Sequence, residues 1–280
     1  MDEKLIAAAG WPIVVLVICL FILMAFRKDI RELLGRVKKI GKDGLETHSE
    51  DGPRPSKDEK AKKEWEVSES IAFYNEIADV YDSRQTRENL DTLRTAADVL
   101  LEAFPDPLKK LSVLDVGAGT GQFQRFFEKA RDINWTCIEP SLGMGQILRE
   151  LFQGPPFHPN ILSTHFEDAP RYLSGKFDAI VLNFVISSLD KVPDLSVFRS
   201  ILAPNGILII SDAHPDIRAV SPQFRVRSMD GIHALKIQHR SSAQVTHEVT
   251  KSGLYVSRGA ERNVPKGSRL YSYVLSFCAA

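Results

Sequence analysis

The sequence predicts an α/β fold, a doubly wound sheet with an antiparallel final strand, preceded by one N-terminal transmembrane helix. From Leu111 onward, short apolar runs alternate with amphipathic segments, as parallel strands and their connecting helices do. The last two apolar runs, 254–259 and 270–278, leave no room for a crossover helix, so this final pair is expected to be antiparallel. Residues 5–26 contain no charged side chain, and this run predicts the membrane span.

The uncharged run 5–26 predicts a transmembrane anchor over residues 1–26. Its 22 residues correspond to about 33 Å of helix at roughly 1.5 Å per residue, enough to cross a bilayer core of about 30 Å. The alternative is a cleaved signal peptide. Against it, the preceding segment is hardly basic, no small-residue cleavage site closes the run, and Arg27 and Lys28 follow directly.

The flanks of this run predict its orientation. Residues 27–42 carry seven basic and two acidic side chains, whereas Lys4 stands beside Asp2 and Glu3 on the other side. Because basic flanks stay in the cytoplasm, we expect a single-pass membrane protein with the rest of the chain on the cytoplasmic side. Residues 43–66 are rich in charge, Gly and Pro, which favours a flexible tether. Residues 27–66 are therefore predicted as a basic juxtamembrane segment and linker before a domain at 67–280.

Composition excludes several classes of protein. Lys+Arg and Asp+Glu are both 36, so the overall charge gives no reason to expect nucleic-acid binding. The three cysteines, at positions 19, 137 and 278, are far apart and form no CxxC motif. We therefore predict no metal site and no disulfide framework.

The predicted elements of the domain follow in order. Two helices, 70–80 and 87–104, precede the first strand. The predicted strands are 112–116, 134–139, 161–165, 177–182 and 206–211, and the helices between them are 122–130, Leu142–Leu151 after the N-cap Ser141, and 194–202. A hairpin over 224–238 about Asp230-Gly231 and a helix over Ser242–Lys251 come before the final pair of strands. Ligands of such sheets bind beyond the carboxyl ends of the strands.

The strongest local signal is the segment LDVGAGTG at 114–121, an apolar strand that ends in an acid and a glycine turn. Glycines allow the backbone to bend sharply and to approach a ligand closely. Glu139 follows Asp115 by 24 residues at the end of the next strand, where a carboxylate can accept hydrogen bonds from both hydroxyls of a ribose. The spacing is G-x-G-x-G and not the G-x-G-x-x-G of dinucleotide-binding oxidoreductases, which are therefore disfavoured.

These motifs resemble those of the class I S-adenosylmethionine-dependent methyltransferases over about residues 70–280. LDVGAGTGQF is similar to their first motif and CIEPS to the acidic end of their second strand. HFEDAP (165–170) resembles the adenine loop, FDAIVLNFVISSL (177–189) the fourth-strand motif, and LAPNGILIISD (202–212) the turn and fifth strand. IAFYNEIADVYD (71–82) resembles the aromatic helix that closes over the cofactor. The resemblance implies a Rossmann-like sheet and S-adenosylmethionine as cofactor.

The resemblance also implies roles for particular residues. The methionine part of the cofactor would be held by Asp115, Gly117, Ala118, Gly119 and Gly121. Glu139 would bind the ribose, and the adenine would be lined by Pro140, Ser141 and Met144, with Glu167 or Asp168 bonded to its amino group and Glu167 slightly preferred. Asn183 and Phe184 would lie beside the sulfonium, and Tyr74 or Tyr81 would cover it.

The sequence departs from the family pattern at two places. Asn205 replaces the second glycine of the turn before the fifth strand, although Asn also enters the left-handed region. The fourth strand continues as Leu-Asn-Phe-Val and lacks the N-P-P-Y or D-P-P-Y of base-methylating enzymes, so nucleic acid is not an expected partner.

The acceptor is expected to be a small or lipid-like molecule bound by segment 214–240. A general base is needed only if the acceptor is protonated, and His214 and His239 are weak candidates because structural histidines are commoner. Arg225, Arg227 and Arg240 are candidates to bind an anionic acceptor, and His165 is expected to pack. The oligomeric state is not indicated. A membrane-tethered scaffold with this fold and no catalysis remains the alternative.

Overall fold

The computed structural model describes residues 57–127, 132–152, 159–165, 168–217, 223–228 and 231–279. These residues belong to a compact unit, Lys57–Ala280. The predicted span 5–26 and the basic segment that follows it lie outside the described residues, as does Glu167. Among the helices that are described, none combines the length and the apolar character needed to cross a membrane.

Five α-helices and nine strands are described. The helices are α1 (Lys57–Tyr81), α2 (Arg87–Ala103), α3 (Leu142–Leu151), α4 (Ser196–Ile201) and α5 (Ser242–Lys251). The strands are β1 (Leu111–Val116), β2 (Ile133–Ile138), β3 (Asn160–Leu162), β4 (Phe177–Asn183), β5 (Leu202–Ala213), β6 (Gln223–Arg227), β7 (Ile232–Lys236), β8 (Leu254–Lys266) and β9 (Arg269–Ala279).

Seven strands form one sheet in the order β3-β2-β1-β4-β5-β9-β8. The first five are parallel, and β9 runs antiparallel to both β5 and β8, so the predicted antiparallel final pair is confirmed. The chain order reverses between β1 and β4, and their carboxyl ends therefore border the crevice where such sheets bind ligands. The strands β6 and β7 pair separately as the predicted hairpin.

Both faces of the sheet are covered, because successive strand residues point to opposite sides. Val113 packs in a buried cluster with Leu100 of α2, whereas its neighbour Leu114 packs on the other face with Val249 of α5. All four side chains are fully buried or nearly so. This two-sided burial explains why the inner strands are almost continuously apolar.

Several helices and strands begin or end at residues other than those predicted from the sequence. The helix expected at 70–80 begins at Lys57, within the segment predicted as a tether, since its Lys, Glu and Ala residues are strong helix formers. The helix expected at 122–130 is only a 3₁₀ turn over Gln124–Phe127 in the described part, where Phe123 and Phe127 pack edge-on against each other. Strand β8 extends past the predicted 259 to Lys266 because its pairing with β9 continues. Asn205 adopts the left-handed conformation that its turn requires, with φ 62°.

Candidate active site

A cavity lies at the carboxyl ends of β1, β2 and β4. The space within it, including the solvent at its open mouth, is about 840 Å³. Ten of the residues predicted from the sequence line it: Tyr74, Tyr81, Gly117, Gly119, Glu139, Pro140, Ser141, Met144, Asn183 and Phe184. The cavity wall also contains residues that the sequence did not single out for binding: Ser70, Ile71, Val116, Ile138, His165, Val185, Ser188 and Leu189.

In the glycine turn after β1, Gly117 and Gly121 lie against neighbouring side chains, whereas Gly119 faces open space. Gly117, Gly119 and Gly121 all have positive φ, at 72°, 57° and 86°. A Cβ on Gly117 would lie 2.6 Å from Cγ2 of Val185, and one on Gly121 would lie 2.6 Å from both Leu148 and Phe152. A Cβ on Gly119 would have no neighbour within 4 Å. Gly119 is therefore the glycine that leaves room for a ligand.

Glu139 is held rigidly beside this turn, one residue beyond the end of β2. Its Oε2 accepts a hydrogen bond of 2.7 Å from the backbone N–H of Gly119, and its Oε1 accepts one of 2.8 Å from that of Ser141. Burial raises the pKa of the Glu139 carboxyl to about 7. Each oxygen retains a lone pair beyond its backbone bond, so the carboxylate can accept two further hydrogen bonds.

Asp115, Ala118 and Gly121 are not on the cavity wall, and their role in holding the methionine part of the cofactor stays a prediction. The Asp115 carboxylate is buried behind the turn and accepts a 2.7 Å hydrogen bond from Nε2 of Gln124. Burial, reinforced by the charge of Glu139, raises its pKa to about 7. Ala118 packs in the cluster under α2. These residues shape the turn from behind.

Helix α1 covers the cavity and is attached to the loops on both sides of it. The rings of Tyr74 and Tyr81 meet edge to face with centroids 6.2 Å apart, and the Tyr74 hydroxyl lies 3.0 Å from Oγ of Ser188. Oδ1 of Asn75 accepts hydrogen bonds from the Ser141 hydroxyl at 2.9 Å and the Gly143 N–H at 3.0 Å. Burial raises the pKa of Tyr81 to about 12 and that of Tyr74 further, so both phenols keep their protons.

The end of β4 carries two features typical of a ligand site. Oδ1 of Asn183 accepts a 2.6 Å hydrogen bond from the Ser211 hydroxyl, while its buried Nδ2 has no partner among the described residues. Phe184 adopts a left-handed backbone with φ 57°, which costs a non-glycine residue about 1–2 kcal/mol. An unsatisfied donor and a strained backbone at one wall fit a site completed by a ligand.

The loop of residues 186–190, called here the 186–190 loop, is held from beneath by Asp212 and Arg240. The guanidinium of Arg240 donates to the carbonyls of Ile186 at 2.6 Å and Leu189 at 2.8 Å, and also to that of Asp190. Asp212 accepts 2.7 Å hydrogen bonds from the N–H groups of Ser187 and Ala213. Burial raises the pKa of Asp212 to about 6.

Neither Asp212 nor this role of Arg240 was found from the sequence. Arg240 was a candidate to bind an anionic acceptor, but its donors are used by the loop carbonyls. The signal for Asp212 was present, because it is an acid that follows the apolar run of the fifth strand. Ser188, which lines the cavity, had no comparable signal.

The predicted catalytic histidines do not line the cavity. Nδ1 of His214 accepts a hydrogen bond from the N–H of Asp216 at 3.2 Å, and its ring packs edge-on against Tyr273. His239 is likewise absent from the wall, whereas His165, expected only to pack, is part of it. Asp168 pairs with Arg171 at 3.4 Å and is not on the wall. Neither predicted histidine lies on the wall of this cavity, and a role of either one as a base stays a prediction.

None of the described residues of segment 214–240, which the sequence predicts to form the acceptor pocket, lines this cavity. The hairpin of β6 and β7 packs instead on α1, where Val226 and Leu235 bury themselves against Phe73 and Ile77. Its position is also fixed by His233, whose Nδ1 lies 2.6 Å from Oε2 of Glu76. The hairpin therefore supports the helix that covers the cavity.

Solved structures with the same fold include named methyltransferases. The DhpI complex with S-adenosylmethionine (SAM) and HEP is 19% identical, with 76% of this chain and 97% of that one covered and a TM-score of 0.52. Magnesium protoporphyrin IX methyltransferase from Synechocystis PCC 6803 with bound SAM is 16% identical, with 82% and 100% covered and a TM-score of 0.51. The CcbJ methyltransferase from Streptomyces caelestis is 15% identical, with 74% and 98% covered and a TM-score of 0.55.

The sheet order, the glycine turn and the acid after β2 define the Rossmann-like class of methyltransferase folds. A family model described as a methyltransferase domain matches residues 86–257, and the chain belongs to that family. It is an enzyme, a SAM-dependent methyltransferase.

Proposed function

We propose that this methyltransferase binds SAM between the glycine turn and helix α1 and methylates a small-molecule or lipid-like acceptor at a membrane. The observation that carries the proposal is Glu139, whose two oxygens are fixed by Gly119 and Ser141 at the cavity wall. A carboxylate fixed in this way is suited to accept hydrogen bonds from both hydroxyls of a ribose.

The residues present fit the cofactor. Open space in front of Gly119 admits a ligand close to the backbone, and the unpartnered Nδ2 of Asn183 supplies a donor. When bound, SAM supplies a methyl group already activated by its positively charged sulfur. The chain then needs to orient the acceptor and to exclude water. The rings of Tyr74 and Tyr81, which cover the cavity, contribute to both tasks.

Calorimetric titration of the full-length chain with SAM tests this assignment. Glu139→Gln is expected to weaken binding about 10- to 100-fold, because an amide accepts at one end only and turns its NH₂ toward a backbone donor. Glu150→Gln is the matched control, since Glu150 is exposed on α3 and bonds only to Gln146 among the contacts described. Equal SAM affinity in the Glu139 variant and the control would contradict the role of Glu139.

Methyl transfer is tested separately by incubating the full-length chain with methyl-labelled SAM and cell extract. We expect label to appear in an extract product, and separation into lipid and aqueous fractions assigns the kind of acceptor. SAM binding with no transfer to any fraction would favour the non-catalytic scaffold.

The membrane anchor is part of the proposal on the strength of the sequence. An uncharged run at 5–26 followed by a strongly basic segment supports a single pass with the catalytic domain in the cytoplasm. Fractionation of cells and a reporter fused to the C-terminus test it. We expect the chain in the membrane fraction and the reporter active in the cytoplasm. Recovery without membranes, or cleavage of the reporter by external protease, would contradict it.

A further inference from the structure

We propose that the acceptor binds against the 186–190 loop, and that it is a largely apolar molecule with an uncharged hydrogen-bonding group held by Ser188 and Tyr74. This inference rests on the proposed function, because it assigns the second half of the same cavity. It names the chemical class of the acceptor and two residues that select it.

The loop lies across the cavity from the ribose-binding carboxylate. Glu139 follows β2 and the 186–190 loop follows β4, with β1 between these strands. Two strand spacings separate them by about 10 Å. A nucleoside bound at Glu139 therefore leaves the region of Ser188 and Leu189 for a second molecule.

Ser188 and Tyr74 form a polar pair at this position. Their hydroxyls share one hydrogen bond of 3.0 Å, and both side chains are on the cavity wall. Two hydroxyls joined by one bond retain one donor and free lone pairs between them, so they can both donate to and accept from a bound group.

The cavity wall around this pair is apolar. Ile71, Val185 and Leu189 are the neighbouring wall residues, and the described lining of this half includes no Lys, Arg, Asp or Glu. No charged side chain on this wall would replace the hydration that an anion or a cation loses on binding, and a cation would in addition be repelled by the sulfonium of SAM. An uncharged group has less hydration to lose.

The loop is also built before the acceptor arrives. Arg240 fixes its carbonyls and Asp212 fixes the N–H of Ser187. A loop shaped by such buried contacts presents Ser188 in one position, which reduces the entropy lost on binding.

The transfer itself balances without another reactant. A lone pair on the acceptor forms the new bond to the methyl carbon while the carbon–sulfur bond breaks and its electrons remain on sulfur. Any proton on the acceptor atom is released to water.

Binding of a matched series of eight-carbon probes tests the proposal. The full-length chain is saturated with SAM, and the affinities of 1-octanol, octanoate and octylammonium are measured by calorimetry, with free probe determined by dialysis. We expect 1-octanol to bind at least tenfold more tightly than either charged probe. Equal or weaker binding of 1-octanol overturns the proposed class of acceptor.

Variants test the residues. Ser188→Ala is expected to weaken 1-octanol binding about 3- to 10-fold while SAM affinity stays within twofold, and Ser188→Thr, which keeps the hydroxyl, is expected to restore it. Ser200→Ala, on the exposed side of α4, is the matched control. If Ser188→Ala binds 1-octanol as the unsubstituted chain does, the role of Ser188 is refuted while SAM binding still stands. Loss of SAM binding in the unsubstituted chain would instead refute the proposed function.

Discussion

The two halves of the cavity are held together by contacts that span different distances along the sequence. In the β1–β2 half, Glu139 bonds to backbone N–H groups 20 and 2 residues away in the sequence. In the β4–β5 half the contacts span longer separations, with Arg240 reaching Ile186 across 54 residues and Tyr74 reaching Ser188 across 114. The short-range bonds of Glu139 form together with the turn that they hold. The long-range bonds depend on how distant segments pack, so the β4–β5 half is the half that sequence changes can reshape for a different acceptor.

The largest effect is expected within the first half, from Gly121→Ala. The new Cβ would lie 2.6 Å from Leu148 and Phe152 with the backbone at φ 86°. Left-handed strain and overpacking together are expected to cost about 3–4 kcal/mol of unfolding free energy. Urea titration of the full-length chain measures this cost.

Gly119→Ala is the matched comparison, because it has the same backbone constraint and open space around the Cβ. We expect a loss of only about 1–2 kcal/mol in stability, together with at least a tenfold loss of SAM affinity. If both variants lose stability equally and SAM affinity stays unchanged in Gly119→Ala, the division into packing and ligand-facing glycines is wrong.

In the second half, Arg240→Met is expected to lower the unfolding free energy by about 2–3 kcal/mol. The substitution keeps an apolar stem of similar length but leaves the carbonyls of Ile186 and Leu189 without their charged donor. SAM affinity is expected to remain within twofold, because the contacts of Glu139 are untouched.

The control is Arg225→Met on β6, an exposed residue whose described bonds are to Gln223. Its stability is expected to stay within about 0.5 kcal/mol of the unsubstituted chain. A SAM affinity that falls tenfold in Arg240→Met would show that the two halves are coupled.

The same contrast explains how much the sequence predicted. The glycine turn, the acid after β2 and the N-cap Ser141 are local signals, and the structure brings Gly117, Gly119 and Glu139 to one cavity. The strands were recognisable because their apolar runs are short and regularly spaced.

The contacts of the second half have no local signal. The bond of Tyr74 to Ser188 and that of Asp212 to Ser187 exist only after distant segments meet. The hairpin packs against α1 through contacts between segments that are also distant in the sequence. The sequence therefore gave no sign of this packing, and the hairpin was predicted to form the acceptor pocket. An acid at the end of an apolar strand was the single hint, and it marks Asp212.

The smallest effect is expected in the pH dependence of the unfolding free energy. It comes from the buried carboxyl groups behind the two halves of the cavity, Asp115 and Asp212. Burial and the charge of Glu139 raise the pKa of Asp115 to about 7, against an ordinary value of 3.8. Burial raises the pKa of Asp212 to about 6, partly offset by hydrogen bonds from Ser187 and Ala213. Since the folded state binds these protons more tightly than the unfolded state, unfolding free energy is expected to fall as pH rises from about 4 to about 7 and to level off above. Asp115→Asn is expected to remove about 1–2 kcal/mol of that fall.

Urea titrations of the SAM-free, full-length chain at pH 5 and pH 8 measure this difference. Asp98→Asn, on the exposed face of α2, is the matched control and is expected to keep the whole fall. A fall of the same size in Asp115→Asn would mean that the Asp115 proton is bound no more tightly in the folded state. The β1–β2 half would then be held by the short-range bonds of Glu139 with no contribution from the Asp115 proton, whereas in the β4–β5 half Asp212 bonds directly to the loop.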